Sequence, residues 1–145
     1  MFFLLLYFGI DYLNLYSEKY VVLLPENHAL AGFETLTLSQ LSGQNYVDRL
    51  ACEMRNKMLQ VCETSGVELY AKFRSEREDW VQSMVAAGLG IAFIPEHAVL
   101  VENVVTRPLS DPQLSREIQI VSMPGRIFSK AVQQFYRAAI SHDWV

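Results

Sequence analysis

Two stretches of this sequence hold the side chains with chemistry to offer. "VDRLACE", residues 47–53, places Asp48 and Arg49 ahead of Leu50 and Cys52. "RSEREDW", residues 74–80, groups Arg74, Ser75, Glu76 and Arg77. Each stretch lies where a strand-like run gives way to a helical pattern. The first turn of a helix has backbone N–H groups without partners and the positive end of the helix dipole, so an anion is favoured there. Arginine adds a planar fork of donors that grips a carboxylate with two parallel hydrogen bonds. Arg49, Arg55, Arg74 and Arg77 all surround these junctions. Ser75 can offer a hydroxyl and an N–H to a carboxylate, or it can simply cap its own helix. The arginines can hold a ligand, or they can be solvated surface residues.

Cys52 and Cys62 raise a second chemistry. A thiol at a helix start near arginines has a lowered pKa and a larger reactive thiolate fraction. If residues 52–62 were helical, a rise of about 1.5 Å per residue would put the two roughly 15 Å apart. A disulfide spans at most about 7 Å between Cα atoms, so bridging them would require that helix to melt. The plainer reading makes Cys62 a small buried hydrophobe and leaves Cys52 lining a cleft. His28, His97 and His142 are isolated and lack the spacing of metal ligands. No metal site and no cofactor are expected. A catalytic pairing of Cys52 with His97 as base is chemically conceivable. However, no phosphate loop, dinucleotide fingerprint or nucleophile elbow is present, and an enzyme is not expected.

The elements that must position these residues follow from the pattern. The chain has 145 residues, of which 51% are hydrophobic and 19% charged, which suits a compact globular unit or part of a larger one. Its net charge of −4 gives it no basic surplus to meet a phosphate backbone. Two cysteines are too few for a disulfide scaffold, so a reduced, cytoplasmic setting is the default. "MFFLLLYF", residues 1–8, is apolar but shorter than the roughly 18 residues that span a bilayer. It also lacks the basic start and cleavage site of a secretory signal. It reads as a buried strand, or as the internal or misplaced start of a larger protein.

Residues 20–24 form a strand stopped by Pro25, and "LTLSQLSG" a short helix closed by Gly43. "QNYVDR" is a short strand. Residues 53–64 form a helix that turns Met54, Met58, Val61 and Cys62 inward. "VELYAKF" places Val67, Leu69, Ala71 and Phe73 on one face of a strand. Ser75 and Glu78 have the spacing of a capping box. They would open a helix whose apolar face is Trp80, Val81, Met84, Val85 and Gly88. "IAFIP" is a continuous apolar run, as in a parallel-sheet strand covered on both faces. Strands near 104–108 and 117–122 follow. A last helix over 129–141 turns Ala131, Val132, Phe135, Ala138 and Ala139 inward. Alternating strands and helices predict an α/β fold with a largely parallel sheet.

Three segments taken in order, "LYSEKYVVLLPENHALAG", "LTLSQLSGQNYV" and "SEREDWVQSMVAAGLGIAFIPE", resemble the effector-binding region of LysR-type transcriptional regulators. "VVTRPLSDPQLSREIQIVS" and the final helix resemble the end of that region. The resemblance covers roughly residues 9–144. It implies a type 2 periplasmic-binding-protein-like α/β fold with one complete subdomain plus part of a second. Residues 1–19 would be a remnant of subdomain I, 20–94 subdomain II, and 95–145 the C-terminal part of subdomain I. Strands 20–24 and 91–95 would cross between the two lobes.

The same resemblance implies a small-molecule effector, a carboxylate being the favoured class. The nominated effector-binding residues are Asp48, Arg49, Leu50, Cys52, Arg74, Ser75 and Glu76. It also implies homo-oligomers formed through the regulatory domain; the charge balance argues against direct nucleic-acid contact by this chain, and the short apolar run against membrane association. The winged helix-turn-helix and linker helix of the family have no counterpart here, nor has most of the first half of subdomain I. The chain therefore looks truncated, and apolar surface on that lobe is expected to lie uncovered. Peroxide-sensing members of the family carry reactive cysteines in places similar to Cys52 and Cys62, which gives the redox alternative. A transporter's solute-binding protein shares the fold but would need an export signal. A non-functional or purely competing fragment is the remaining alternative.

Overall fold

The computed structural model describes residues 9–144, so the strand expected in residues 1–8 lies outside the described residues. In chain order the elements are β1 (Asp11–Pro25), single 3-10 turns at Ala29–Gly32 and Leu38–Leu41, β2 (Asn45–Arg49), α1 (Arg55–Thr64), β3 (Tyr70–Ser75) and α2 (Glu78–Ala86). They continue with β4 (Ala92–Pro95), β5 (Val104–Pro108), β6 (Ser115–Ser122) and α3 (Lys130–Ser141). Two compact units result. One takes the chain through Glu18 and from Arg116 onward, and the other runs from Lys19 to Ser115.

The 19–115 unit is built around the second half of β1. β4 pairs with it antiparallel, Val21 opposite Ile94 and Leu23 opposite Ala92. β5 pairs antiparallel on its other side, Val22 opposite Arg107. The two apolar runs, 20–24 and 91–94, therefore lie side by side. Because alternate residues of a strand face opposite ways, β1 supplies two cores. Tyr20, Val22 and Leu24 join Leu36, Leu41, Tyr46, Phe93 and the α1 residues Met58 and Cys62. Val21 and Leu23 join Val47, Ala92, Ile94 and the α2 residues Val81 and Val85. Burial on both faces thus explains the unbroken apolar sequence.

The expectation of a largely parallel sheet is corrected here. The strands flanking β1 are antiparallel to it, because a run covered on both faces carries no information about its neighbours' direction. Parallel pairing occurs between β2 and β3 and at the bridge from Tyr46 to Ile91. In that bridge the Ile91 N–H donates to the Asn45 carbonyl at 2.9 Å and the Val47 N–H to the Ile91 carbonyl at 2.8 Å. Gly90 makes the approach possible, since a Cβ there would stand 2.6 Å from the Asn45 carbonyl oxygen.

Three local expectations also change. Helix α1 begins at Arg55, and only Met58 and Cys62 of its four expected inward residues are fully buried. The capping box at Ser75 does not form. Ser75 is the last residue of β3, paired with Arg49, and its hydroxyl accepts from the Arg77 N–H at 3.0 Å. Helix α2 starts at Glu78 with Arg77 at the cap, because the strand ladder holds Ser75 and the chain needs two residues to turn. Trp80, expected inside, is 53% exposed and lies against the Arg77 guanidinium at 5.0 Å. Polar Gln82 is fully buried in its stead.

In the other unit, β6 pairs with β1. Buried Glu18 accepts from Arg116 at 2.7 Å. Ser129 caps α3, its hydroxyl accepting from the Val132 N–H at 3.3 Å. Of the five α3 residues expected inside, only Ala139 is buried; Ala131, Val132, Phe135 and Ala138 are exposed. The amphipathic stripe is present, but among the described residues it has no facing layer. Val121, Met123, Ile127 and Ile140 are exposed as well, so this unit does carry uncovered apolar surface.

Candidate functional site

Because β2 and β3 run parallel, both end at the same edge of their sheet. Asp48 stands opposite Arg74 and Arg49 opposite Ser75. The Leu50 N–H extends the ladder by one bond, donating to the Ser75 carbonyl at 3.0 Å. Five of the nominated residues are thereby brought together from two distant stretches. Leu50 is itself 41% exposed.

Asp48 is 1% exposed, and its oxygens are committed. Arg55, at the start of α1, donates Nε to Oδ1 at 2.7 Å and Nη2 to Oδ2 at 2.6 Å. That hydrogen bonding, with Asp48's negative charge, raises the Arg55 pKa. Arg74 Nε lies 3.6 Å from Oδ2, with its side chain largely exposed. The buried Tyr46 phenol is pushed well above its ordinary range, first by burial and then by the Asp48 charge. Asp48 therefore organises arginines and offers little to a ligand directly.

Arg49 points elsewhere. Its Nε forms an ion pair with Glu78 at the start of α2. Arg49 Nη1 is shut off from solvent and has no hydrogen-bond partner, while Glu78 Oε2 is the oxygen that pairs with Nε. The other Glu78 oxygen accepts from Gln82 Nε2 at 3.0 Å. Further along, Arg77 holds exposed Asp79 bidentately at 3.1 and 2.5 Å and lowers its pKa. Glu76 is exposed between these groups.

Cys52 is half-buried in the turn between β2 and α1. Its thiol lies 3.9 Å from Tyr20 Oη, and Tyr20 donates to Glu53 at 2.5 Å. Cys62 is buried in the core, where desolvation pushes its thiol pKa up. It is a packing residue with little thiolate character. Both cysteines are free. His28 caps a turn by accepting from the Leu30 N–H at 3.1 Å. His142 packs edge-on against Trp144. Among the described residues, no group of three or more His, Cys, Asp or Glu side chains could hold a metal ion, and no helix is long and apolar enough to cross a membrane.

Sequence reasoning missed Glu78, Gln82, Tyr20 and Glu53 as polar members of this region. The signals were present. Tyr20 opens an otherwise aliphatic run, and Gln82 follows Glu78 by four residues, which brings both onto one side of a helix.

The fold is that of LysR effector-binding domains, of the periplasmic-binding-protein type. It resembles the regulatory domain of CcmR from Synechocystis PCC6803, solved in complex with 2-PG, with a TM-score of 0.80 at 16% identity over 93% of this chain and 67% of that one. It also resembles the effector binding domain of QuiR in complex with shikimate, with a TM-score of 0.72 at 21% identity over 90% and 63% of the two chains. The family model described as the LysR substrate binding domain matches residues 5–143, and the chain belongs to that family. Among curated relatives, it is 35% identical over 117 residues to the hydrogen peroxide-inducible genes activator of Haemophilus influenzae, covering 77% of this chain and 38% of that protein. The chain spans less than half the length of the curated relatives it matches.

Proposed function

We propose that this chain is the effector-sensing part of a LysR-type transcriptional regulator, that it binds a small carboxylate, and that it works in the cytoplasm without a catalytic step of its own. The observation that carries the carboxylate is the Arg49 guanidinium. It has a donor sealed from water and unpaired, at the strand edge shared with Ser75. A buried donor left unsatisfied costs about 1–3 kcal/mol, more when charged, and a ligand oxygen would remove that cost. In this reading Arg49, Arg74 and Ser75 hold the carboxylate. Leu50 and Cys52 face the body of the ligand, Glu76 stands at the rim, and Asp48 orients the arginines. The shikimate bound by the QuiR domain supports the class. The 19–115 unit, which contains the whole expected 20–94 subdomain, carries the site. The exposed apolar surface of the other unit supports self-association.

The test is thermal unfolding with benzoate and shikimate against the neutral benzamide. A ligand at 100 times its Kd adds about 2.7 kcal/mol, which is several degrees in Tm. The carboxylates should raise Tm, benzamide should not, and Arg74→Met should weaken the response. Equal shifts with benzamide, or none with any carboxylate at tens of millimolar, would reject the reading.

The likeness to a peroxide-inducible activator favours thiol sensing as a second reading, with Cys52 meeting the oxidant and Cys62 as its partner. Peroxide oxidation of Cys52 no faster than that of free cysteine would remove it.

A further inference from the structure

Gln82 is an amide in the middle of a helix face otherwise given to valines, and it is 0% exposed. Both its N–H donors and its carbonyl oxygen are engaged. Nε2 donates to Glu78 Oε1 at 3.0 Å and to the Ala98 carbonyl at 2.7 Å, and Oε1 accepts from the Leu100 N–H at 2.7 Å. A buried amide bound on every side cannot turn without leaving some group unsatisfied, so its orientation is tied to Glu78. Glu78 in turn is tied to Arg49. The chain of contacts thus runs from the strand edge of the candidate site to residues 98–100. That segment follows β4 directly: the Ala98 N–H donates to the Pro95 carbonyl at 3.0 Å, and the Glu96 N–H to the Lys19 carbonyl at 2.9 Å. Lys19 is where β1 passes from one unit into the other.

From this geometry we infer that Glu78 and Gln82 are positioning residues that convert occupancy at Arg49 into a change in the backbone at 98–100. The inference rests on the carboxylate reading for its trigger, but the linkage itself is a property of the protein alone. An incoming carboxylate at Nη1 and Glu78 at Nε share one guanidinium. When the ligand draws Arg49 toward itself, the Glu78 pair weakens. The Glu78 side chain is 26% exposed and can swing to water. Gln82 then loses an acceptor and its reason to hold one orientation, and the Leu100 N–H loses protection. The two states differ in a discrete set of hydrogen bonds, which is what coupling between distant sites requires.

The experiment is amide hydrogen exchange on the full chain, with the Val22 amide in the centre of β1 as the internal reference for global opening. In ligand-free protein, Arg49→Met should speed exchange at Leu100 relative to Val22 by about fivefold or more, the worth of one net hydrogen bond. Arg49→Lys, which keeps the charge, should restore most of the protection. Should Arg49→Met fail to fold, Glu78→Gln provides the same comparison, since it removes the ion pair and keeps an acceptor for Gln82. Benzoate should speed Leu100 exchange in the wild type and leave it unchanged in Gln82→Met. A purely structural Gln82 would instead loosen Leu100 and Val22 together and show no response to benzoate.

Unchanged Leu100 exchange in Arg49→Met overturns the linkage whether or not any ligand binds. A Tm shift with benzoate but no change at Leu100 also overturns it, and leaves the carboxylate reading standing. Loosening of Leu100 in Arg49→Met with no carboxylate shifting Tm keeps the linkage and rejects the carboxylate.

Discussion

Replacing Gly90 by alanine tests whether the two halves of the 19–115 core meet as described. An alanine Cβ would stand 2.6 Å from the Asn45 carbonyl oxygen and 2.9 Å from its carbon. Both are backbone atoms of β2, so no side chain can simply move aside. Either β2 shifts away from the chain entering β4, or the bonds between Asn45, Ile91 and Val47 stretch. Overpacking costs about 1–3 kcal/mol, and weakening one of those bonds about 0.5–1.5 kcal/mol. The lost flexibility of the unfolded glycine returns about 0.4–1 kcal/mol. The central outcome is a destabilisation of about 2 kcal/mol. In urea, with a slope of about 1–3 kcal/mol per molar, the midpoint should fall by roughly 1 M. A midpoint that rises, or moves by less than about 0.2 M, would refute the close approach. Gly88 is the control. It has φ of +78° and open space around its Cβ position, so Gly88→Ala should cost only the left-handed conformation, about 1–2 kcal/mol, and Gly88→Asn less.

Asp48→Asn should destabilise the fold by about 2–3 kcal/mol in urea. That is less than the 3–5 kcal/mol of a fully buried broken pair, because the Arg55 side chain is 27% exposed and can reach water; a loss below about 0.5 kcal/mol would contradict the role given to Asp48. The pKa of Cys62 is raised in the folded state, so its contribution to stability is fully present below the unfolded thiol value of about 8.5 and is lost as pH rises through the folded value. Stability measured across pH 7–11 should therefore decline more steeply in the wild type than in Cys62→Ala, and identical slopes would rule this out. Iodoacetamide should label Cys52 in the native protein and reach Cys62 only on unfolding, as peptide mass spectrometry would show.

Much of the fold was legible because its elements are simple in period. The run at 20–24, the alternation of Ala71 and Phe73 in β3, and the last helix near 129–141 all took their expected places. Strand direction was not legible: "IAFIP" pairs antiparallel with β1, and burial of both faces is blind to that choice. Ser75 misled because its spacing to Glu78 matches a capping box, while the β2 ladder, invisible locally, claimed it for a strand. Trp80 was misplaced, and Gln82, buried in its stead, had been assigned no face. Hydrophobicity put the indole inside, whereas the Arg77 stack and the three-way hydrogen bonding of Gln82 decided otherwise. The candidate site was legible as two arginine-bearing junctions. Their meeting through the register of β2 and β3, and the commitment of Asp48 to Arg55, depend on contacts that no single stretch encodes.

The placement of β1 bears on biosynthesis. Its stretch "YVVLL" is uncharged and rich in branched residues, the composition that favours aggregation when unpaired. In the finished molecule β4 and β5 cover both its edges. On the ribosome those partners emerge only when residues 92–108 have been made, about 80 residues later. At about 5–20 residues per second, the nascent strand waits roughly 4–16 s before both edges are filled, and over that interval its unpaired backbone is open to pairing with other chains.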